Sequence, residues 1–468
     1  MQIPILNGIY KSNNGDVRVS YPVNLIPVPE KNGISLGYLK PADGIIMGVD
    51  LVGLDRGGIN WNGELYRVSG EYLYKINEDW TVVNLGSVGF GGLVSFDYSF
   101  DRLAIASGGS LYYYSSSLGL IKVVDPDLGV ALDVVWVDGY FMTTDGTNLV
   151  VTELTDPTQV NPLKYGSSEV DPDRIVALKK IRNEIYAINR YTIEVFDNVG
   201  GEVFPFQRVS GAQIQKGCVG THSCCVFEDT VAFIGGARNE APAIYLGVNS
   251  TTTKISSNEI DKLLMELTED QLSECELESR SHESHRFLYV HLPDRTVVFD
   301  FNASKVFEEN VWFTVTTSIN GFSKYKAHGI VWCYNKWIVG DPNSGLVGYF
   351  NQNNSEHWNS TPVRWEFATT IVYGEATGAA FNQIELLHFN GNFDIDKNPA
   401  IATSYSVDGN SWSQDKTITT GTPGNTNKRL VWFRQGHMRN WRIQRFKGDS
   451  TSHLSFLRLE AQIEKLMR

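Results

Sequence analysis

At 468 residues, the chain is long enough for two or three domains. Its formal charge of −13 argues against a protein that grips nucleic acid over its whole surface, where a basic face is expected, but does not exclude one past which DNA slides. Its five cysteines, Cys218, Cys224, Cys225, Cys275 and Cys333, show no framework spacing and read as reduced thiols made in a cytosol.

Residues 1–55 are punctuated by Gly and Pro and are expected to form an extended N-terminal arm. Each proline in Tyr21-Pro-Val-Asn-Leu-Ile-Pro-Val-Pro29 pushes its predecessor out of the α region. Met1–Tyr10 lacks a basic n-region, so no signal peptide is expected. No apolar run approaches the roughly 18 residues of a membrane span, so no membrane insertion is expected.

From residue 56 a repeated pattern begins. In Gly58–Asn77 a strand runs to Trp61 and breaks at Asn62-Gly63, the strongest short hairpin signal, because both central residues of a type I′ turn need φ > 0. Leu65–Ile76 then forms a hairpin around Ser69-Gly70-Glu71. Six further hairpins begin near Leu103, Tyr140, Ile185, Thr230, Phe287 and Trp337, at steps of between 37 and 57 residues. A four-stranded propeller blade needs roughly 40–50 residues. The prediction is therefore an all-β chain with a β-propeller-like domain of six to seven blades over 56–358. A short helical insertion is expected near 257–273. There Ile260, Leu263, Leu264 and Leu267 fall at helical spacing, and Thr268–Gln271 reads as a capping box. Beyond Trp358 the blade period is lost. Strands are expected at Val363–Val372, Ile384–Phe389, Ala402–Val407, Leu430–Phe433 and Arg442–Phe446. From Leu457 to Glu464 apolar and polar residues alternate, which favours a half-buried strand over a helix. Residues 359–468 are read as a C-terminal β-sandwich.

Several clusters invite a chemical reading. His282, His285 and His291 with Cys275 lie on a predicted hairpin, where residues three apart face opposite sides, and they lack the paired short spacing of a zinc site. Cys218, His222, Cys224 and Cys225 fail similarly, because vicinal strand cysteines diverge. Ser406–Trp412 is one residue short of a sialidase Asp-box and reads as an Asp-Gly turn with a packed tryptophan. No metal, cofactor or catalytic set is expected. Lys428, Arg429, Arg434, His437, Arg439, Arg442, Arg445 and Lys447 form a basic stretch with Trp432, Phe433, Trp441 and Phe446 interleaved. This stretch fits an interface with an acidic partner, the charged outer faces of a strand pair, or single-strand binding. The candidate interface residues are Lys428, Arg429, Trp432, Arg434, Arg439, Trp441, Arg442 and Arg445.

Six stretches in order resemble the packaged-DNA stabilisation proteins of short-tailed bacteriophages, the tail accessory factor or nozzle below the portal. They are Tyr21–Ile26, Gly37–Ile45, Arg56-Gly-Gly with Leu65–Gly70, Ile214–Thr221, Ser281–Pro293 and Lys428–Arg434. The resemblance implies a non-enzymatic virion tail protein, synthesised in the host bacterial cytoplasm. It implies a homohexameric ring that meets the portal and adaptor ring proteins, tailspike or tail fibre, and tail needle. It also implies that packaged DNA passes through without sequence-specific binding. The alternative is a propeller-type glycan-binding or glycan-hydrolysing protein, which needs clustered acids and arginines on one face.

Overall fold

The computed structural model describes residues 1–6, 21–30, 35–358, 361–373, 378–389, 399–420, 428–451 and 453–466. Seven antiparallel sheets of four or five strands follow one another along the chain, and together they form the blades of a propeller. The first blade shows why the sequence folds this way. Asp55–Trp61 turns through Asn62 (φ +54°) and Gly63 (φ +82°) into Glu64–Ser69, so both turn residues are left-handed as a type I′ hairpin requires. Tyr72–Ile76 and Val82–Ser87 complete the sheet. Blade two repeats the turn at Gly108 and Gly109, and blade seven at Tyr334 and Asn335. Apolar side chains on both faces of each blade pack against its neighbours. Leu103 and Ile105 meet Tyr66, Val68 and Leu73 in this way.

Two helices, Asn258–Met265 capped by Ser257 and Glu269–Ser273 capped by Thr268, sit between blades five and six. The second carries both reciprocal bonds of a capping box with Gln271. Their Ile260, Leu264 and Leu272 fill the seam with Leu277, Leu288 and Trp312. A third helix, Phe301–Phe307, was not anticipated. Asp300, the last residue of a strand, caps it by accepting from the Asn302 and Ala303 amides.

The N-terminal segment departs from the expected arm. Residues 7–20 and 31–34 lie outside the described residues, but the rest is built into both domains. Gly44–Asp50 is the outermost strand of blade seven and pairs with Leu346–Asn351, so the chain's start closes the ring that its later strands build. Leu25–Val28 and Tyr38–Pro41 join a sandwich sheet, and Gln2–Ile3 pairs with Glu460 and Leu459. The physical reason is that these short apolar runs have edges to satisfy, and the free edges lie in distant parts of the chain.

The sandwich packs that sheet against a second one, built from Arg364–Ala368, Val372–Tyr373, Ala400–Ser406, Lys416–Thr419 and Trp441–Asp449. Trp365, Phe367, Phe381, Phe446 and Phe456 dominate its core. The long pair Ala379–Phe389 and Ser455–Lys465 runs through the first sheet, with Leu459 and Ala461 buried.

Two polar clamps join the domains. The Asn24 side chain donates to the Thr316 and Arg364 carbonyls (3.0 and 2.7 Å) and accepts from the Thr316 amide (3.0 Å). Asp43 and Arg280 pair at 2.6 Å with both side chains buried, and the guanidinium lies 4.3 Å over the Phe350 ring. Burial pushes the Asp43 carboxyl up, but Arg280 outweighs it and the net shift is downward. Removing one partner would leave the other charge buried and unpaired. Asp43→Ala is therefore expected to cost about 3–5 kcal/mol in urea unfolding. A loss within about 0.5 kcal/mol, ordinary for a surface site, would contradict this role for the pair.

Candidate functional surfaces: the propeller axis and the sandwich edge

The first strand of every blade faces the propeller axis. Together they line a cavity of about 450 Å³ that continues into a mouth of about 870 Å³. Each inner strand is also a sheet edge, so its amides need partners other than a neighbouring strand. Carboxylates from the preceding blade supply several. Asp97 accepts from the Trp136 amide (2.6 Å), Asp133 from the Leu178 amide (3.0 Å), and Glu278 from the Ile330 amide (2.9 Å). Lysines on blade four complete two of these links. Lys179 pairs with Asp133 at 2.9 Å, while Lys180 donates to the Trp136 carbonyl (2.6 Å) and lies 5.2 Å over its ring.

At the mouth, His328 stands between two carboxylates. Its Nε2 is 3.2 Å from Asp55 Oδ1 and its Nδ1 is 3.1 Å from Glu276 Oε2. Asp55 is also gripped by Arg67 through two bonds of 2.8 and 2.6 Å, and Arg67 is wholly buried. Burial disfavours the His328 cation, but Glu276 and Asp55 more than compensate and push its pKa up to about 10. Burial likewise raises Glu276, but His328 holds it down at about 2. The cluster ties blades six, seven and one together with charge. Inference from the sequence missed all these axial groups. The available signal was a charged residue recurring a few positions before each hairpin.

The histidines weighed as metal ligands take separate partners. His282 contacts Gln352, His285 bonds Asp300 (2.5 Å), and His291 bonds Glu278 (3.1 Å) and Thr296 (3.0 Å). Among the described residues no group of three His, Cys, Asp or Glu converges on an ion position. Asp408 spends its carboxylate on the amides of Asn410 and Ser411 (2.9 and 2.8 Å) within its own turn.

The basic stretch does not form one surface. Arg442 is buried between Phe381 and Tyr405, 4.0 and 4.1 Å from their ring centres, and donates to the Gln435 carbonyl (2.8 Å). Trp432 is core, with its indole bonded to the Lys416 carbonyl (3.0 Å). These two therefore leave the candidate interface, because both point into the sandwich and not towards solvent. Half-buried Arg445 lies 4.0 Å over Trp412, and Trp441, also half-buried, pairs with Tyr373. Lys428 donates to Thr419 (2.9 Å) and Arg429 grips Glu385. What remains open is Arg434, Arg439 and Phe433, the last 64% exposed.

A seven-bladed propeller closed by the strand Gly44–Asp50, joined to a β-sandwich and stitched along its axis by charge, defines a two-domain all-β protein. The chain belongs to the family described as Bacteriophage P22 Gp10: the β-propeller model matches residues 1–355 and the β-sandwich model residues 364–464. It is similar to the tail hub protein gp10 of Salmonella phage P22, at 25% identity over 460 residues and 94% of each chain. It is thus a structural hub protein of a short phage tail. Among solved structures it is similar to the Pan2 WD40 domain of Neurospora crassa (10% identity, 65% of this chain and 90% of that one, TM-score 0.43). PorZ of Porphyromonas gingivalis is also similar (10% identity, 81% and 46%, TM-score 0.41).

The axial cluster makes stability depend on pH in two directions. The His328 contribution is whole below the unfolded value of 6.5 and fades as pH rises through about 10. The Glu276 contribution is whole above 4.5 and fades as pH falls through about 2. Urea midpoints should fall from pH 6.5 to 10, and His328→Gln should flatten that limb; equal slopes in parent and variant would contradict the assignment. In the sandwich, Arg442→Glu would bury an acid between two rings and should cost about 3 kcal/mol or more, whereas exposed Arg434→Glu should fall within about 0.5 kcal/mol. Circular-dichroism melts of the two variants give the comparison.

Proposed function

We propose that six copies form a ring below the portal and adaptor of a short tail. The ring extends the DNA channel, helps retain the packaged genome and holds tailspikes or fibres and the needle. It does so without catalysing a reaction and without reading DNA sequence. The observation that carries this reading is the match of both domains, in order, to the P22 Gp10 family, whose relative in phage P22 is a tail hub. The chemistry of the chain is compatible. A net charge of −13 per copy opposes free self-association at low salt through mutual repulsion, so ring formation is favoured on a template that supplies contacts and local concentration. The open Phe433, Arg434 and Arg439 edge is the proposed contact, because an exposed aromatic that binding would desolvate, beside guanidinium groups, suits an acidic neighbour.

Purified protein mixed with portal-containing, DNA-filled heads and imaged by electron microscopy tests the ring. A six-fold collar beneath the portal, with DNA retained after a heat or salt challenge, is the expected result. Failure to bind, or binding with another symmetry, would sink the proposal. Arg434→Glu with Arg439→Glu should keep the fold and lose attachment; attachment equal to the parent's would remove this edge as the contact.

A further inference from the structure

Blade five is the sheet whose innermost strand is split. Gly217–Cys218 and Cys224–Phe227 lie along the same edge of Thr230–Gly236, with Cys218 opposite Gly235 and Cys224 opposite Phe233. Their partners are two positions apart on one strand, so the two cysteines occupy successive places on the same face. An unbroken strand would hold such Cα atoms roughly 6.5–7 Å apart, the upper limit for a disulfide, and a break between them allows closer approach. Between them Val219 donates to the Ile234 carbonyl and Ser223 accepts from the Ile234 amide (3.0 Å each), so residues 220–222 bulge out as a loop just inside the two cysteines.

The side chains are arranged to match. Both are buried in the one cluster that joins blades four and five. Cys218 Sγ lies 3.3 Å from the Gly220 and Ser223 carbonyls, and Cys224 Sγ lies 3.6 Å from the Thr221 carbonyl. Burial raises the Cys218 thiol, but Cys224, nearby amides and Lys179 outweigh it and leave Cys218 the more acidic. The neighbouring Cys218, then burial, push the Cys224 thiol up. The other cysteines are engaged elsewhere. Cys225 lines the axial cavity together with Cys224 but pairs opposite Ala232, Cys275 donates to the Gln271 carbonyl (3.3 Å), and Cys333 sits in blade seven near the Gly63 carbonyl.

We propose that Cys218 and Cys224 are a disulfide site, reduced in the cell and closed when the protein meets a peroxide outside it. The Cys218 thiolate attacks one peroxide oxygen, the O–O bond breaks, and Cys218 becomes a sulfenic acid as hydroxide leaves. Cys224 sulfur then attacks Cys218 sulfur, the S–O bond breaks, and its proton leaves with the oxygen. In sum, two thiols and hydrogen peroxide give one disulfide and two waters.

The bond would tie a loop that serves three blades. Thr221 donates to the Val176 carbonyl of blade four (2.8 Å). Ser223 Oγ contacts the Leu272 carbonyl (2.9 Å) and the Cys275 carbonyl (2.8 Å) leading into blade six. His222 lines both the axial cavity and its mouth.

The test uses the folded, purified chain, so it is independent of ring formation. The protein is treated with hydrogen peroxide, then unfolded in alkylating agent, digested and analysed by mass spectrometry. The expected product is one peptide species joining Cys218 to Cys224, lighter by two hydrogens and restored by dithiothreitol, with Cys225, Cys275 and Cys333 alkylated. Cys224→Ser should abolish that species and let Cys218 stop at sulfenic or sulfinic acid. Recovery of both cysteines alkylated, or pairing of either with Cys225 or Cys275, would overturn the proposal.

Discussion

A propeller is held by its last seam. Six of the seven blades take all their strands from consecutive stretches of chain, but the seventh lacks an outer strand until Gly44–Asp50 lies against Leu346–Asn351. Without that pairing, Leu346–Asn351 would present a free edge, and Ile45 and Val339 would lose a shared core with Phe350. The same short segment continues from strands that belong to the sandwich. Closure of one domain and docking of the other are thus a single event, fixed in place by Asn24 and by the buried Asp43–Arg280 pair.

The axis solves a second problem with different means. Inner strands splay around a ring and cannot pair with one another as a sheet, so side-chain carboxylates reach across to neighbouring amides. Lys179 and His328 then neutralise part of the acid gathered there. Buried charge of this kind contributes specificity of register as much as stability, since slipping one blade would strand several ions.

How much of this was legible depended on how local the cause was. The Asn62-Gly63 turn and the Thr268–Gln271 capping box announce themselves in adjacent residues, and the hairpin period followed from such turns. Gly44–Asp50 carries no comparable mark, because its partner lies some three hundred residues downstream in the same chain. The axial charges were unread for a related reason. On an isolated strand a carboxylate on one face is equally at home in water or in a cavity. Arg442 could have been placed better. It shares a face with Gln444 and Phe446 by the two-residue period, and a phenylalanine core on that face argued for an inward guanidinium. Helix Phe301–Phe307 begins directly from a strand, and Asp300 serves both elements, which hid the boundary.

The pairing of Gln2–Ile3 with Leu459 and Glu460 has a consequence for how the molecule is made. A ribosome releases the first of these strands before almost everything it will touch has been synthesised. The closing strand must likewise wait for residue 351, and the sandwich for residue 465. Contacts this far apart in sequence are slow to form, and the waiting strands have open edges. Folding of this chain therefore completes only after residue 465 has been made, and the yield of folded protein should be set by how well those early strands are kept apart until then.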